Sequence, residues 1–179
     1  MARNTLSRSL HDLGLAGWFG GTLANAVALN PAAGAAGSDK AAGRVANAGW
    51  NKWTPVNAVA IGAHIVGSIG QLRGNRHRIG AQHGVAGMSV MKTALTAAAL
   101  GATAYSRVLG QVVNGSGDTP SKSGTKPTKR TTSEVATAQL QLDRMQWVIP
   151  ALTGALVAVS SYAGEQQRPS EFLRGAVQP

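Results

Sequence analysis

His64 is the residue whose type and position point most directly to chemistry. It lies near the middle of a stretch without charged residues that runs from Trp53 to Leu72. If that stretch crosses a bilayer, an ionisable side chain at its centre is a functional hypothesis by default, and an imidazole can relay protons, bind a ligand or ligate haem. The alternative is a neutral imidazole hydrogen-bonded to a hydroxyl group of a neighbouring helix, for which the available partners are Thr96, Thr103, Thr153 and Ser160.

Asn25 and Asn57 form the second candidate feature. They lie at matching depths if the two stretches that contain them run antiparallel. Paired amides across two helices contribute about 0.6–2 kcal/mol to helix association. We therefore interpret the two asparagines as a structural pair, and the alternative is a polar path that they line together with His64.

Five more ligand-type side chains are predicted to gather on one side of the bundle, namely His11, Asp12, His77, His83 and Glu165. Histidine and carboxylate together can hold a divalent metal. However, no two of them have ligand spacing on one helix, and neighbouring arginines repel a cation, so caps and salt bridges are the simpler interpretation. A bis-histidine haem would need a second histidine at the depth of His64, and none is expected there. We predict neither a metal nor a cofactor.

The sequence contains no catalytic signature. It has no glycine-rich phosphate loop, no G-x-S-x-G and no H-E-x-x-H. The absence of cysteine excludes disulfides, thiolate metal sites and cysteine nucleophiles. We therefore predict that the chain is not an enzyme.

The elements that must position these side chains follow from the distribution of charge. Three charge-free stretches each have the roughly 20 residues that a helix needs to cross a bilayer. A fourth is bounded by Lys92 and Arg107, whose long side chains can reach the two interfaces from a helix over residues 83–113; the alternative there is a helix on the membrane surface. Trp50, Trp53 and Trp147 lie at the boundaries, where tryptophan is favoured. The predicted spans are 13–29, 54–72, 90–110 and 146–163.

Small residues at four-residue spacing predict how these spans pack. In lipid there is little hydrophobic drive between helices, so close backbone contact through glycine and alanine becomes important. Such residues occur in all four spans: Gly17, Gly21, Ala63, Gly67, Ala97, Gly101, Gly154 and Ala158. The sequence does not decide whether these faces pack within one chain or between chains.

Polar segments connect the spans. The pair Asn30-Pro31 is predicted to end the first helix, residues 32–49 to form a short interfacial helix, and residues 114–132 to form a flexible loop. A helical pattern over 134–146 leads into the fourth span. A competing interpretation treats residues 1–28 as a cleaved signal peptide, which would leave three spans.

Basic residues indicate orientation and partners. Arg73, Arg76 and Arg78 suit anionic lipid head groups. Their density near the span ends favours a cytoplasmic location for both termini. The formal net charge of +10 also fits nucleic-acid binding, but the aromatic residues lie at span ends rather than between basic residues, so we predict no nucleic-acid partner.

Three segments carry a resemblance to known sequences: LHDLGLAGWFGG at 10–21, AGWNKWTPVN at 48–57 and EQQRP at 165–169. Through them the chain resembles small uncharacterised membrane proteins of high-GC Gram-positive bacteria over most of its length. The resemblance implies a multi-pass protein of the bacterial plasma membrane. It implies no activity and no functional residues.

These observations predict an all-α bundle of four transmembrane helices that forms one integral membrane domain. The leading function is a non-enzymatic accessory or scaffold subunit, packed within a larger membrane complex or a homo-oligomer. One alternative is a small transporter or channel with a polar path near His64, Asn25 and Asn57. The other is a membrane redox or metal protein.

Overall fold

Helices form all the long elements of the computed structural model, which describes residues 4–81 and 83–165. The side chains of residues 75, 77–85 and 163–165 lie outside this description. The elements are α1 (Thr5–Ala24), a π-helical segment (Asn25–Leu29), α2 (Asn30–Ala33), α3 (Asp39–Ala81), α4 (His83–Gly115) and α5 (Ser133–Glu165). The first three follow one another without a break, so four helical rods pack side by side. The all-α prediction is confirmed, as are the helix over 83–113 and the helical approach over 134–146.

One described helix is long and apolar enough to cross a membrane. It runs over Ser133–Tyr162 in α5 and overlaps the predicted span 146–163. The other three predicted spans also lie within helices, but these helices do not meet the same criterion of length and hydropathy. The four-span transmembrane bundle is therefore not confirmed.

The closest helix pair is α1 with α3, and glycines make the contact possible. A Cβ atom on Gly14 would collide with the backbone of His64, and one on Gly67 would collide with the backbone of His11. Gly21 likewise leaves room for the ring of Trp53. Because glycine has no side chain, the two backbones approach more closely than any other residue would allow.

Of the other predicted packing residues, Gly17 and Gly154 also face neighbouring helices. A Cβ atom on Gly17 would lie 3.2 Å from the Cβ of Ala60, and one on Gly154 would lie 3.1 Å from the ring of Phe19. Ala63 is half-buried. In the pair predicted in the third span, Ala97 and Gly101 are both exposed, and nothing lies within 4 Å of the Cβ position of Gly101; Ala158 is exposed as well.

The remaining core lies between α4 and α5 and beneath Trp18. Leu109 and Val113 of α4 pack on Val135 and Ala138 of α5. Nearer the middle of the bundle, the fully buried ring of Trp18 packs with Ala99 and Ile149. In contrast, α3 and α4 contact each other far less than α1 and α3 do, which leaves a gap between them.

Apolar side chains are exposed along all four rods, whereas polar side chains occupy much of the interior. Among the exposed residues, Val59 is 74% and Val90 is 69% accessible. The fully or nearly fully buried residues include His11, His64, Gln139 and Thr153. So many exposed large apolar side chains together with buried polar ones are unusual in a water-soluble domain.

The first helix does not end at Asn30-Pro31 as predicted. It passes through the π-helical segment and continues as α2 to Ala33. Proline lacks an N–H and its ring collides with the carbonyl group one turn back. A π-bulge loosens that turn, and we attribute the continuation of the helix to it. The predicted interfacial helix over 32–49 is also corrected, because α3 begins at Asp39 and runs through Pro55 to Ala81 without a break.

The segment 114–132 was predicted to be a flexible loop. Its first two residues belong to α4, and the rest makes hydrogen bonds to α2, α3 and α5; we call this assembly the cap. The backbone N–H of Ser121 donates to the carbonyl of Asp39, that of Gly124 donates to the carbonyl of Asn30, and the Thr125 hydroxyl donates to Asp143. The segment lacks apolar residues, but these hydrogen bonds to the helices hold it in place.

Asn30 is the centre of the cap. Its side-chain amide donates to Oε1 of Gln146 at 2.8 Å and accepts from the indole N–H of Trp50 at 2.9 Å. Only 2% of the residue is exposed. One buried side chain therefore joins α2, α3 and α5, while its backbone carbonyl holds the loop at Gly124.

The glycine contact yields a stability prediction. Gly14→Ala is expected to lower the free energy of unfolding by about 1–3 kcal/mol, because the new methyl group collides with backbone atoms that cannot move aside. Gly20→Ala is the matched control on the same helix, since nothing lies within 4 Å of its Cβ position. There we expect a gain of about 0.5–1 kcal/mol from reduced chain entropy.

Unfolding of the purified protein in increasing dodecyl sulfate, followed by circular dichroism, measures both effects. Equal shifts for the two variants would contradict the packing of α1 on α3.

Candidate functional site

A cavity of about 350 Å³ occupies the gap between α3 and α4; we call it the α3–α4 cavity. Its apolar walls include Ile61, Leu100, Leu142 and Ile149. One end of the cavity lies beneath the cap, at Trp50 and Asn30. Its volume lies in the range of small-molecule sites.

Three residues of this lining each carry a buried polar atom that has no hydrogen-bond partner. The atoms are the indole Nε1 of Trp53, Oδ1 of Asn57 and Oγ of Ser106. An unsatisfied buried polar group costs about 1–3 kcal/mol, so native proteins retain few of them. Six such atoms occur in the described part of the chain, and half of them belong to residues that line this one cavity. This clustering makes the cavity the candidate functional site.

The mouth of the cavity lies between α3 and α4. Its exposed lining residues all belong to these two helices and are Asn51, Ala58, Ala104, Arg107 and Asn114. The guanidinium of Arg107 reaches across the mouth and donates to Oγ1 of Thr54 at 3.4 Å. Arg107 is the one charged residue of the lining, so the site has positive polarity.

His64 lies beyond the end of the cavity that is farther from the cap, and it forms a pair with His11. The two ring centroids are 4.6 Å apart, and both residues are almost completely buried, at 0% and 1% exposure. Nδ1 of His64 lies 3.4 Å from the carbonyl oxygen of His11, and Nε2 lies 3.4 Å from Oγ1 of Thr96. The structure thus selects Thr96 from the four hydroxyl groups considered as partners.

The expectation that no other histidine reaches the depth of His64 is wrong. α1 begins well before its charge-free stretch, and the glycines at 14 and 67 bring His11 against α3. The exposed Asp12 accepts a hydrogen bond from Nδ1 of His11 at 2.7 Å. Nε2 of His11 is buried and has no partner.

A repeated spacing in the sequence could have revealed this pair. His11, Gly14 and Gly17 have the same H-x-x-G-x-x-G spacing as His64, Gly67 and Gly70. The contacts are reciprocal: each of Gly14 and Gly67 faces the backbone of the other helix at its histidine. Gly17 and Gly70 face Ala60 and Ser7, which each lie four residues before a histidine. The two motifs are therefore related by an approximate two-fold axis across the antiparallel helices.

Trp18 connects the histidine pair to the cavity. Its ring centroid lies 6.0 Å from that of His64. Its indole N–H donates to Oγ1 of Thr103 at 3.2 Å, and Thr103 lines the cavity. Trp18 lies inside the predicted span 13–29, and the hydroxyl of Thr103 satisfies its polar atom there.

The predicted amide pair does not form among the described hydrogen bonds. Asn25 is buried at the start of the π-helical segment and donates to the carbonyl of Gly21, one turn back, at 2.9 Å. Asn57 instead lines the cavity. The two asparagines therefore have different roles, and Asn57 alone belongs to the candidate site.

The other predicted residues lie near the end of the bundle that is opposite the cap. Arg73 and Arg76 are exposed on α3, and the side chain of Arg78 lies outside the described residues. The same holds for the side chains of His77, His83 and Glu165. The described residues contain no group of three or more side chains that could hold a metal ion.

Comparisons of this chain with protein-family models, with curated proteins and with solved structures found no match. The resemblance to membrane proteins of high-GC Gram-positive bacteria therefore stays a prediction. Function has to be argued from the cavity and the surface alone.

Proposed function

We propose that this protein is a multi-pass protein of a bacterial plasma membrane that binds a small ligand in the α3–α4 cavity, as a binding or transport component. The observation that carries the proposal is a mainly apolar cavity of about 350 Å³, three of whose lining residues, Trp53, Asn57 and Ser106, carry a buried polar atom without a hydrogen-bond partner. A ligand toward which these side chains turned would remove the desolvation cost of those atoms. This is the transporter alternative of the sequence analysis, with the site moved from the Asn25–Asn57 pair to the cavity.

The surface supports the membrane part of the proposal. Exposed apolar side chains lie on α1, α3, α4 and α5, for example at Leu13, Val59, Val90 and Val157. Patches of this kind are costly in water and are normal against lipid. The proposed spans in α3, α4 and α5 are 54–72, 90–110 and 146–163, and the first span, predicted over 13–29, begins early enough to include His11, because His11 lies beside His64. Arg73, Arg76 and Arg78 then lie at the cytoplasmic head groups together with both termini.

Cysteine labelling tests the topology, because the chain has no native cysteine. A membrane-impermeant maleimide should label Lys129→Cys in intact cells and Arg73→Cys only after permeabilisation. Val59→Cys should stay unlabelled in both conditions until detergent denaturation exposes it. Labelling of Val59→Cys in intact membranes would contradict the membrane proposal, whereas an exchange of the first two results would reverse only the orientation.

Blocking the cavity tests the ligand proposal. Gly110 lines the cavity, and nothing lies within 4 Å of its Cβ position, so Gly110→Leu fills space without a collision. Gly101→Leu is the matched control, because it is equally open on the same helix but outside the cavity lining.

The measurement is mass spectrometry of small molecules extracted from protein purified out of native membranes. We expect a stoichiometric molecule in the wild type and in Gly101→Leu, and its loss in Gly110→Leu. An empty wild type, or a molecule retained by Gly110→Leu, would contradict the proposal.

A second candidate function is the accessory subunit that was the leading hypothesis from sequence. The exposed face of Ala97 and Gly101 on α4 favours it, because both residues are exposed and nothing lies within 4 Å of the Cβ position of Gly101. Close helix contact through such a face is how membrane helices associate. The same Gly101→Leu variant separates the two functions, since it should disrupt assembly with another subunit and leave the cavity intact.

A further inference from the structure

We infer that the His11–His64 pair is a binding site for one proton and that Trp18 couples this site to the α3–α4 cavity. Uptake transfers a proton from hydronium to the lone pair of an imidazole nitrogen, leaves water behind and breaks no bond within the chain. The inference goes beyond the proposed function, because the pair needs no ligand in the cavity to take up a proton.

Hydrogen bonding is the first argument. An ionised carboxylate and a backbone carbonyl only accept hydrogen bonds. Nδ1 of His11 therefore carries a hydrogen toward Asp12 at 2.7 Å, and Nδ1 of His64 carries one toward the carbonyl of His11 at 3.4 Å. Both neutral rings consequently keep their lone pair at Nε2. In His64 this atom accepts from the hydroxyl of Thr96, whereas in His11 it is buried and has no partner. Nε2 of His11 is thus the atom that takes up the proton.

Charge is the second argument. The carboxylate of Asp12 lies against the edge of the His11 ring and balances the imidazolium that uptake creates. Among the described side chains, Lys92 of α4 opposes this effect on both histidines, and Lys92 in turn interacts with Asp12 and with Arg8. The predicted spans of α3 and α5 contain no Lys, Arg, Asp or Glu. Since the two ring centroids are 4.6 Å apart, a first imidazolium repels a second, and the pair holds one proton.

The approximate two-fold relation of α1 and α3 is the third argument. Its axis passes between the two histidines, because Gly14 faces the backbone of His64 and Gly67 faces that of His11. In membrane transporters built from inverted repeats, the coupling ion binds at the interface of the repeats. By analogy, this contact is the place for a coupling ion, and an imidazole is the side chain that exchanges a proton near neutral pH.

Trp18 carries the effect of the proton to the cavity. Its ring centroid lies 6.0 Å from that of His64, and its indole N–H donates to Oγ1 of Thr103, a residue of the cavity lining. A charge gained by the pair acts strongly on this indole, because the interior between them has a low dielectric constant. A change in the hydrogen bond of Trp18 then reaches the cavity wall at Thr103.

The test uses the full chain in lipid nanodiscs, with nitrogen-15 in its histidines and tryptophans. The imidazole signals show which nitrogens carry a hydrogen, and His11→Gln and His64→Gln assign the signals of the pair. Between about pH 8 and about pH 5, we expect Nε2 of His11 to gain a hydrogen while His64 keeps one lone pair. The indole signal of Trp18 should shift with the same midpoint. That of Trp50, which is bonded to Asn30 in the cap, should not.

A variant at Asp12 tests the role of its carboxylate. Asp12→Asn keeps a hydrogen-bond acceptor beside His11 and removes the charge, so the proton affinity of the pair should fall about threefold to tenfold. Asp118→Asn is the matched control, because it removes the same charge from an ion pair with Arg44 at the cap. It should leave the proton affinity unchanged. Circular dichroism of each variant shows whether it is folded.

The wild-type titration alone can overturn the inference. It does so if His11 stays neutral across this range, if both imidazoles gain a proton at the same pH, or if the Trp18 signal does not follow the protonation. Equal effects of Asp12→Asn and Asp118→Asn would also overturn it. Because no cavity ligand takes part, an empty cavity would end the proposed function and leave this inference intact.

Discussion

The close approach of α1 and α3 is the constraint on which the rest of the structure depends. Without side chains at Gly14 and Gly67, each helix places its backbone against the other at the level of a histidine. The two imidazoles are consequently enclosed between the helices, together with Trp18. Because α3 uses its glycine face for α1, its other side meets α4 mainly through larger side chains around Ile61, and the cavity opens where that contact ends.

The cap provides the second constraint, at the opposite end from the histidine pair. The buried amide of Asn30 joins three elements, and the segment after α4 folds back over it at Gly124. These bonds hold α3 at Trp50 and α5 at Gln146 around the end of the cavity. The site is therefore bounded by the cap, in which the hydrogen bonds of Asn30 are satisfied, and by lining residues of which three carry a buried polar atom without a partner.

Features that depend on local pattern could be predicted from the sequence. The helix over 83–113 followed from the spacing of Lys92 and Arg107, and Thr96 was among the hydroxyls considered for His64. His11 was missed because charge-free stretches mark a length of chain and not a helix face: Asp12 points outward while its neighbour is buried. The cap was missed because its contacts join polar residues as distant as Asn30 and Gln146. The cavity depends on the separation of α3 and α4, which no local pattern encodes.

The most direct test of this account is a disulfide between α1 and α3 in the cysteine-free chain. The double variant Gly17→Cys with Ala60→Cys places two Cβ atoms about 3.2 Å apart, close to the separation in native disulfides. Gly20→Cys with Gly62→Cys is the control, because nothing lies within 4 Å of either Cβ position. On mild oxidation in membranes, the account predicts an intramolecular disulfide in the first variant and none in the second. Cross-linking of the control pair at the same rate, or bonds only between chains in the first variant, would contradict the contact on which the histidine pair and the cavity depend.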